Sequence, residues 1–386
     1  MSTHPPHDWD ARAPAVLDEP IRAYDDMRRR CPVAHSEYLQ WSLFRHADVM
    51  RALLDPETFS NAVSAHLSVP NGMDPPRHAR YRRMVERYFE PGPIAAYEPT
   101  CRRIADEMVD TLPAAGTVEW MGDFAQDCVL RMHCAFMGWP TSLHAPLRDW
   151  TRRNQAATLA GDRDAMASIA LDFDGHIRAQ LVARRAAGDA APDDATTRLL
   201  HESIDGRALA DDEIVSIVRN WTVGELSTMA SCLGILAHYL AERAPLQQRL
   251  REQPALLPAA IDEILRIHAP LIANRRVVPR DAEVGGRRLP AGARVSLIWA
   301  SANRDEAVFG DPDEFRLDRD PALNLLYGAG IHVCPGAPLA RLELLTVTRA
   351  LLGRTRAIGV VPGRPPTRAR YPASGWAVLP LHVERQ

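Results

Sequence analysis

One segment constrains the fold more than any other. From about Asp211 to Ala241 the chain reads as a single helix, led by Asp211, Asp212 and Glu213 at its electropositive end and stopped before Pro245. At 1.5 Å per residue this helix is about 45 Å long, the width of a whole domain. Its middle, Val215 to Leu236, is apolar on nearly every face, so it must run through a core rather than lie on one. Within it, Val223-Gly224-Glu225-Leu226-Ser227-Thr228 contains a glycine that costs about 1 kcal/mol relative to alanine. Close approach by another group would justify that cost. Otherwise a small residue four before a threonine marks a bend or notch, with the hydroxyl bonded back to the carbonyl.

The rest of the chain is arranged around this rod. From Asp18 to about Ala273 apolar residues recur at three- and four-residue intervals, with breaks at Pro75-Pro76, Pro91, Pro93, Pro140, Pro192, Pro245 and Pro270. The segment Arg184 to Asp194 reads as an exposed loop. After Arg276 the texture changes to short strands, Ala282 to Val284, Arg287 to Leu289 and Ala293 to Ile298, separated by Gly285-Gly286 and Pro290-Ala291-Gly292 turns. The expected class is mainly α with a small β region. At 386 residues the chain exceeds a typical domain, but an α-rich core absorbs that length, so residues 1–386 are read as one domain.

With 46% hydrophobic and 25% charged residues the composition is that of an ordinary globular protein. The formal charge is -3, every basic residue other than histidine is arginine, and no basic block stands out, which leaves nucleic-acid binding without support. The start is polar and proline-containing, and no run of about 18 apolar residues occurs; the expectation is a cytoplasmic protein with no signal peptide or membrane anchor. The six cysteines are scattered without a CxxC pair, so neither a disulfide framework nor a zinc ribbon fits.

One of those cysteines stands in unusual company: Tyr327-Gly328-Ala329-Gly330-Ile331-His332-Val333-Cys334-Pro335-Gly336-Ala337-Pro338-Leu339-Ala340-Arg341. A lone cysteine is usually a small core residue. Here two glycines before it permit a tight turn, Gly336 after it lets a flat group lie close, and a helix can begin from Pro335. A thiolate there would sit at the helix N-terminus, where free N–H groups and the macrodipole favour negative charge. The loop resembles the haem-binding signature of the cytochrome P450 family, aromatic-Gly-x-Gly-x-His/Arg-x-Cys-x-Gly, with Tyr327 in place of the more usual phenylalanine. The resemblance covers almost the entire chain. It implies the α-rich triangular prism of that family, haem b (iron protoporphyrin IX) as cofactor and Cys334 as the iron's axial ligand, with Tyr327, Gly328 and Gly336 shaping the cradle.

Three further motifs gain meaning from this. Glu263-Ile264-Leu265-Arg266 places an acid and a base on one helix face, where taken alone a solvated pair is the ordinary reading. Beside the haem loop it looks like the family's helix K motif, with Arg319 as third member of a structural network. In Asp74-Pro75-Pro76-Arg77-His78-Ala79-Arg80-Tyr81-Arg82, His78 and Arg82 share a face of a helix that starts after the prolines. By resemblance they hold the haem propionates, together with Arg276 and His332. The family's helix I carries a glycine and an acid-threonine pair over the haem. Thr228 lies 35 residues before Glu263 and suits the threonine, and Gly224 then faces the iron. On that register the acid's position is Ser227, a departure, and Glu225 is not on the same face as a simple substitute, so the resemblance implies proton delivery that relies on Thr228, on water and on Glu225.

The resemblance implies a monooxygenase that inserts one oxygen atom of O2 into an organic substrate by hydroxylation or O-dealkylation. Family position puts substrate beside the loop between Ser60 and Met73, Asn220, Val223, Ile272 to Asn274, and the stretch around Ala373. Most of these are small or aliphatic, so a small apolar substrate is expected. The segments Cys31 to Tyr38 and Ser68 to Met73 look like haem domains fused to a reductase, members that act on small aromatics. No iron-sulfur cysteines follow Cys334, so electrons are expected from a ferredoxin and its reductase, or from a reductase domain missing from this chain. A peroxide-driven peroxygenase stays open, although the fatty-acid type carries Arg-Pro in the threonine region. A haem-based gas sensor or carrier would need no distal alcohol, and a hydrolase lacks its G-x-S-x-G elbow.

Overall fold

The computed structural model describes residues 7–386. The long helix runs over Asp211–Ala241, 31 residues, with Glu213 receiving the Ala210 N–H at 2.9 Å at its start. Asp211 and Asp212 there pair with Arg185 and Arg178 of the neighbouring helix Arg163–Ala187. Residues 229–237 of the long helix are buried throughout, as expected of a rod inside a core. The helices Gln126–Met137, Leu257–His268 and Ala337–Arg354 lie against it, and Pro91–Asp110 backs onto Ala337–Arg354. Together they enclose the largest apolar cluster of the described chain.

The β region is larger than its sequence texture suggests. The strands Ala282–Val284, Arg287–Leu289 and Arg294–Ile298 lie where the alternation places them. The reading of 18–273 as mostly helical needs correction, because Val33–Ser36 and Gln40–Leu43 form an antiparallel hairpin and Ala115–Glu119 is a third strand. Gln40–Leu43 pairs in parallel with Arg294–Ile298, which pairs antiparallel with Ala273–Val277. Val33, Ala34, Ser36, Trp41, Ser42 and Leu43 are all buried, so the hairpin shows no in-out alternation, and its partners lie some 250 residues away. A second sheet joins Ala115–Glu119 to Pro380–Arg385, which also pairs with Thr355–Val360.

One loop also starts later than expected. The helix Arg163–Ala187 continues through Arg184, and the loop begins at Gly188. Arg184 is buried and bonded to Gln180 at 2.8 Å and Asp194 at 2.9 Å, which anchors that last turn.

Candidate active site

Four of the six cysteines are buried and Cys31 is half-buried, whereas Cys334 is exposed. The chain reaches it through a tight loop closed by the Cys334 N–H donating to the Tyr327 carbonyl at 2.8 Å. Gly328 and Gly330 hold φ of 75° and 70°, the left-handed region where side chains are strained. Space forbids a side chain there as well: a Cβ would lie 2.8 Å from the Trp299 ring at Gly328, and 2.3 Å from the Leu53 carbonyl oxygen at Gly330. The helix that follows begins at Ala337, two residues beyond Pro335. Partial enclosure raises the Cys334 thiol above its ordinary range, against the lowering pull of the Gly336 N–H, the Arg82 charge and the Ala337 N–H.

Basic side chains ring this loop. His78 and Arg82 sit on the helix Arg77–Glu86, Arg276 on the strand Ala273–Val277 and His332 on the loop itself. The His78 and His332 rings are 4.2 Å apart, and the Nε2 of each is enclosed with no hydrogen-bond partner. Burial pushes His332 down to about 3, helped by His78, Arg276 and Arg82. Burial also lowers His78, and it brings Arg276 down to about 10. Arg82 keeps one partner, Glu86, at 2.6 Å. A cluster of buried donors that depress one another is expensive unless an anion neutralises it.

The middle of the long helix holds an open stretch. Val223 is 44% exposed, Gly224 and Ser227 are exposed, and Thr228 is half-buried at the edge of this opening. A Cβ on Gly224 would meet nothing within 4 Å, so the helix fronts open space at this point. Glu225 lies on the far side of the helix yet close enough to act on the Cys334 thiol.

This combination matches a known family along most of the chain. The family model for Cytochrome P450 matches residues 161–357. A cyclomarin C epoxidase from Salinispora arenicola is 32% identical over 354 residues, covering 87% of this chain and 88% of the relative. An erythromycin C-12 hydroxylase from Saccharopolyspora erythraea is 33% identical over 340 residues, covering 85% of each. The chain belongs to the cytochrome P450 family. Among solved structures, a cytochrome P450 from Chondromyces apiculatus superposes with a TM-score of 0.87 at 28% identity over 98% of both chains. Membership makes this P450 an oxygen-incorporating oxidoreductase with a haem-thiolate cofactor, which uses an organic substrate, O2 and a redox partner. Among the described residues no helix is long and apolar enough to cross a membrane.

Away from the cavity, Glu263 accepts from Arg266 Nε at 2.7 Å and from Arg319 Nε at 2.9 Å. Arg266 also donates to the carbonyls of Asn303 and Pro312, and Arg319 to those of Phe309, Asp311 and Glu314. The network therefore ties the helix Leu257–His268 to the coil before the haem loop. Tyr327 is largely buried with its hydroxyl unpartnered, and the Arg341 guanidinium lies 4.4 Å from its ring centre.

Of the residues read as lining a substrate pocket, Asn220 lies against the 60–73 loop, and Ile272 lies with Ala373. Val223 faces the opening, but the Asn220 amide donates to the Val69 carbonyl at 3.0 Å and contacts Ser68, so it fastens the 60–73 loop to the long helix. Ile272 and Ala373 line one small cleft with Ile235, His238, His268 and Trp376. Glu343 was not picked out from the sequence. It lies in the buried stripe of its helix between Leu339 and Val347, at i+4 and i−4, and that acid in an apolar stripe was the signal available.

Proposed function

We propose that this P450 is a haem-thiolate monooxygenase, a single haem domain over 1–386 with Cys334 as axial ligand to haem b, acting in the cytoplasm on an apolar organic substrate. What supports the reading above all is the exposed thiol at a helix start, ringed by Arg82, Arg276 and the two histidines His78 and His332, whose Nε2 atoms are enclosed without a partner. The two propionate carboxylates of haem b would supply the missing acceptors for His78, Arg82, Arg276 and His332. When bound, the haem supplies the activation of O2 for insertion of one oxygen atom into substrate.

The chain's own residues do the rest. The N–H groups of Gly336 and Ala337, with the Arg82 charge, pull against the burial that raises the Cys334 thiol, and iron bound there would complete the change to thiolate. The bare backbone at Gly224 leaves room in the cavity for O2 and substrate. Val223 presents an apolar surface that excludes water and orients a substrate C–H bond. The Thr228 hydroxyl, at the edge of the opening, passes protons inward. An apolar occupant fits this lining, and the relatives named for cyclomarin C and erythromycin act on organic compounds. We assign the electrons to a separate ferredoxin and its reductase.

The reading is tested by the absorption spectrum of the reduced, carbon-monoxide-bound protein. A thiolate-type band is expected, and Cys334→Ala should remove both that band and oxygenation. A Cys334→Ala protein that kept both would sink the assignment.

A further inference from the structure

The cleft that holds Ile272 and Ala373 has a basic wall as well as an apolar one. Beside Ile21, Ile235 and Ile272 stand His238 and Tyr239 of the long helix, His268 at the end of the helix Leu257–His268, and Arg368 and Trp376 of the hairpin that pairs Thr367–Arg368 with Trp376–Val378. At 1.5 Å per residue, His238 lies about 21 Å along the long helix from Gly224, well away from the open stretch. No carboxylate is among the described residues that line the cleft.

The basic groups are short of acceptors. The Nε2 of His268 is enclosed with no hydrogen-bond partner. Arg368, exposed at the mouth, lies 5.0 Å from the centre of the Trp376 ring and has no hydrogen bond or ion pair among the described residues. His238 packs on the same ring at 4.3 Å, and its Nδ1 is 3.6 Å from Glu242 at the rim, which also holds Arg243 at 3.2 Å. The other charges nearby already have partners: Arg304 has Asp25 and Asp313, and Arg370 has Asp18. Burial, then the charges of Arg304, Arg243, Arg368 and His238, brings His268 down to about 4. The enclosed part has room for about three water molecules. A water meets the His268 nitrogen alone, whereas one small anion meets that nitrogen and the Arg368 charge together.

We propose that this cleft binds a short aliphatic monocarboxylate, with its oxygens between His268, His238 and Arg368 and its alkyl chain on Ile21, Ile235 and Ile272. Arg368 supplies the permanent charge, and each neutral imidazole supplies one N–H donor. Burial of the alkyl chain favours such an acid over chloride or phosphate. The occupant joins segments that already meet: the Ser374 hydroxyl at the hairpin tip donates to the Ala269 carbonyl at 2.6 Å, and the Ser374 carbonyl accepts from Ser231 at 2.9 Å. An anion beside a histidine favours the protonated ring, so binding takes up protons and tightens as pH falls, with Glu242 opposing it from the rim.

The test is a nuclear magnetic resonance titration of the haem-loaded, reduced, carbon-monoxide-bound protein, which is diamagnetic, with ¹⁵N-labelled histidine and constant ionic strength. Butyrate should shift the ring signals of His238 and His268 to saturation, those signals being assigned with His238→Gln and His268→Gln. It should bind several-fold more tightly than acetate, and several-fold more weakly to Arg368→Gln. Butyramide and chloride should leave both rings unmoved, and the haem absorption band should stay in place throughout. The proposal is overturned by the absence of a saturable shift, by butyramide binding as well as butyrate, or by an Arg368→Gln protein with unchanged affinity. A haem band that moves in step with butyrate would place the acid in the haem cavity and overturn the assignment to this cleft.

Discussion

Replacing Glu263 by alanine should destabilise this P450 by about 3–4 kcal/mol, the range for leaving a buried charge without its partner. The side chains of Glu263 and Arg266 are 5% and 1% exposed and that of Arg319 is 11%, so solvent cannot take over as counterion. Glu263 receives Arg266 Nε at 2.7 Å, Arg266 Nη2 at 2.9 Å, Arg319 Nε at 2.9 Å and the Arg316 N–H at 3.2 Å. Summed at about 1.5–3 kcal/mol each, four bonds to a charged group would exceed the stability of many domains, but such bonds are not additive. Both arginines also keep backbone carbonyl acceptors, which holds the loss to the lower part of the range. Glu263→Gln retains the shape and one acceptor oxygen, and should cost about 2 kcal/mol. Urea denaturation followed by circular dichroism measures both, with haem content recorded on the same samples. A Glu263→Ala protein within about 1 kcal/mol of wild type, fully loaded with haem, would refute the argument that this network carries buried charge.

Gly330→Ala combines a positive φ with a Cβ placed 2.3 Å from the Leu53 carbonyl, so a loss of about 3 kcal/mol and poor haem retention are expected, readable by thermal denaturation and haem absorbance. At the head of the long helix, bonds from Arg207, then from Tyr81 and the Ala210 N–H, lower Glu213 from 4.5 to about 2. A lowered carboxylate adds stability that is fully present above its unfolded value and disappears as pH falls through the folded one. Glu213→Gln should therefore cost about 2 kcal/mol at pH 7, with the gap to wild type closing between pH 4.5 and about 2; a gap independent of pH would contradict the assignment. For the electron supply, the chain with NADH alone should give no product, and adding a ferredoxin with its reductase should start turnover. Product formed from NADH without either protein would overturn the separate-partner reading.

What could be read along the chain was whatever depends on local spacing. The span Asp211–Ala241 follows from an acidic start, an apolar middle and a proline stop, and the short strands after Arg276 from alternation between glycine and proline turns. The cysteine loop is equally local, since Gly328 and Gly330 are written into the fifteen residues from Tyr327 to Arg341 around the thiol. Other features depended on what distant segments bring. The hairpin at 33–43 is buried on both faces and becomes a strand pair through Arg294–Ile298, so nothing in its own sequence alternates. That the Val69 carbonyl holds the Asn220 amide, and that Ile272 and Ala373 share one cleft, follows from contacts between segments far apart in the chain. In the sequence Glu225 is an acid turned from the face of Ser227. Only the tertiary structure, which encloses it and brings Glu343 of the helix Ala337–Arg354 within electrostatic reach, decides that both carboxyls are pushed up, because a carboxyl's state is set by the charges and solvent around it rather than by its place in the chain.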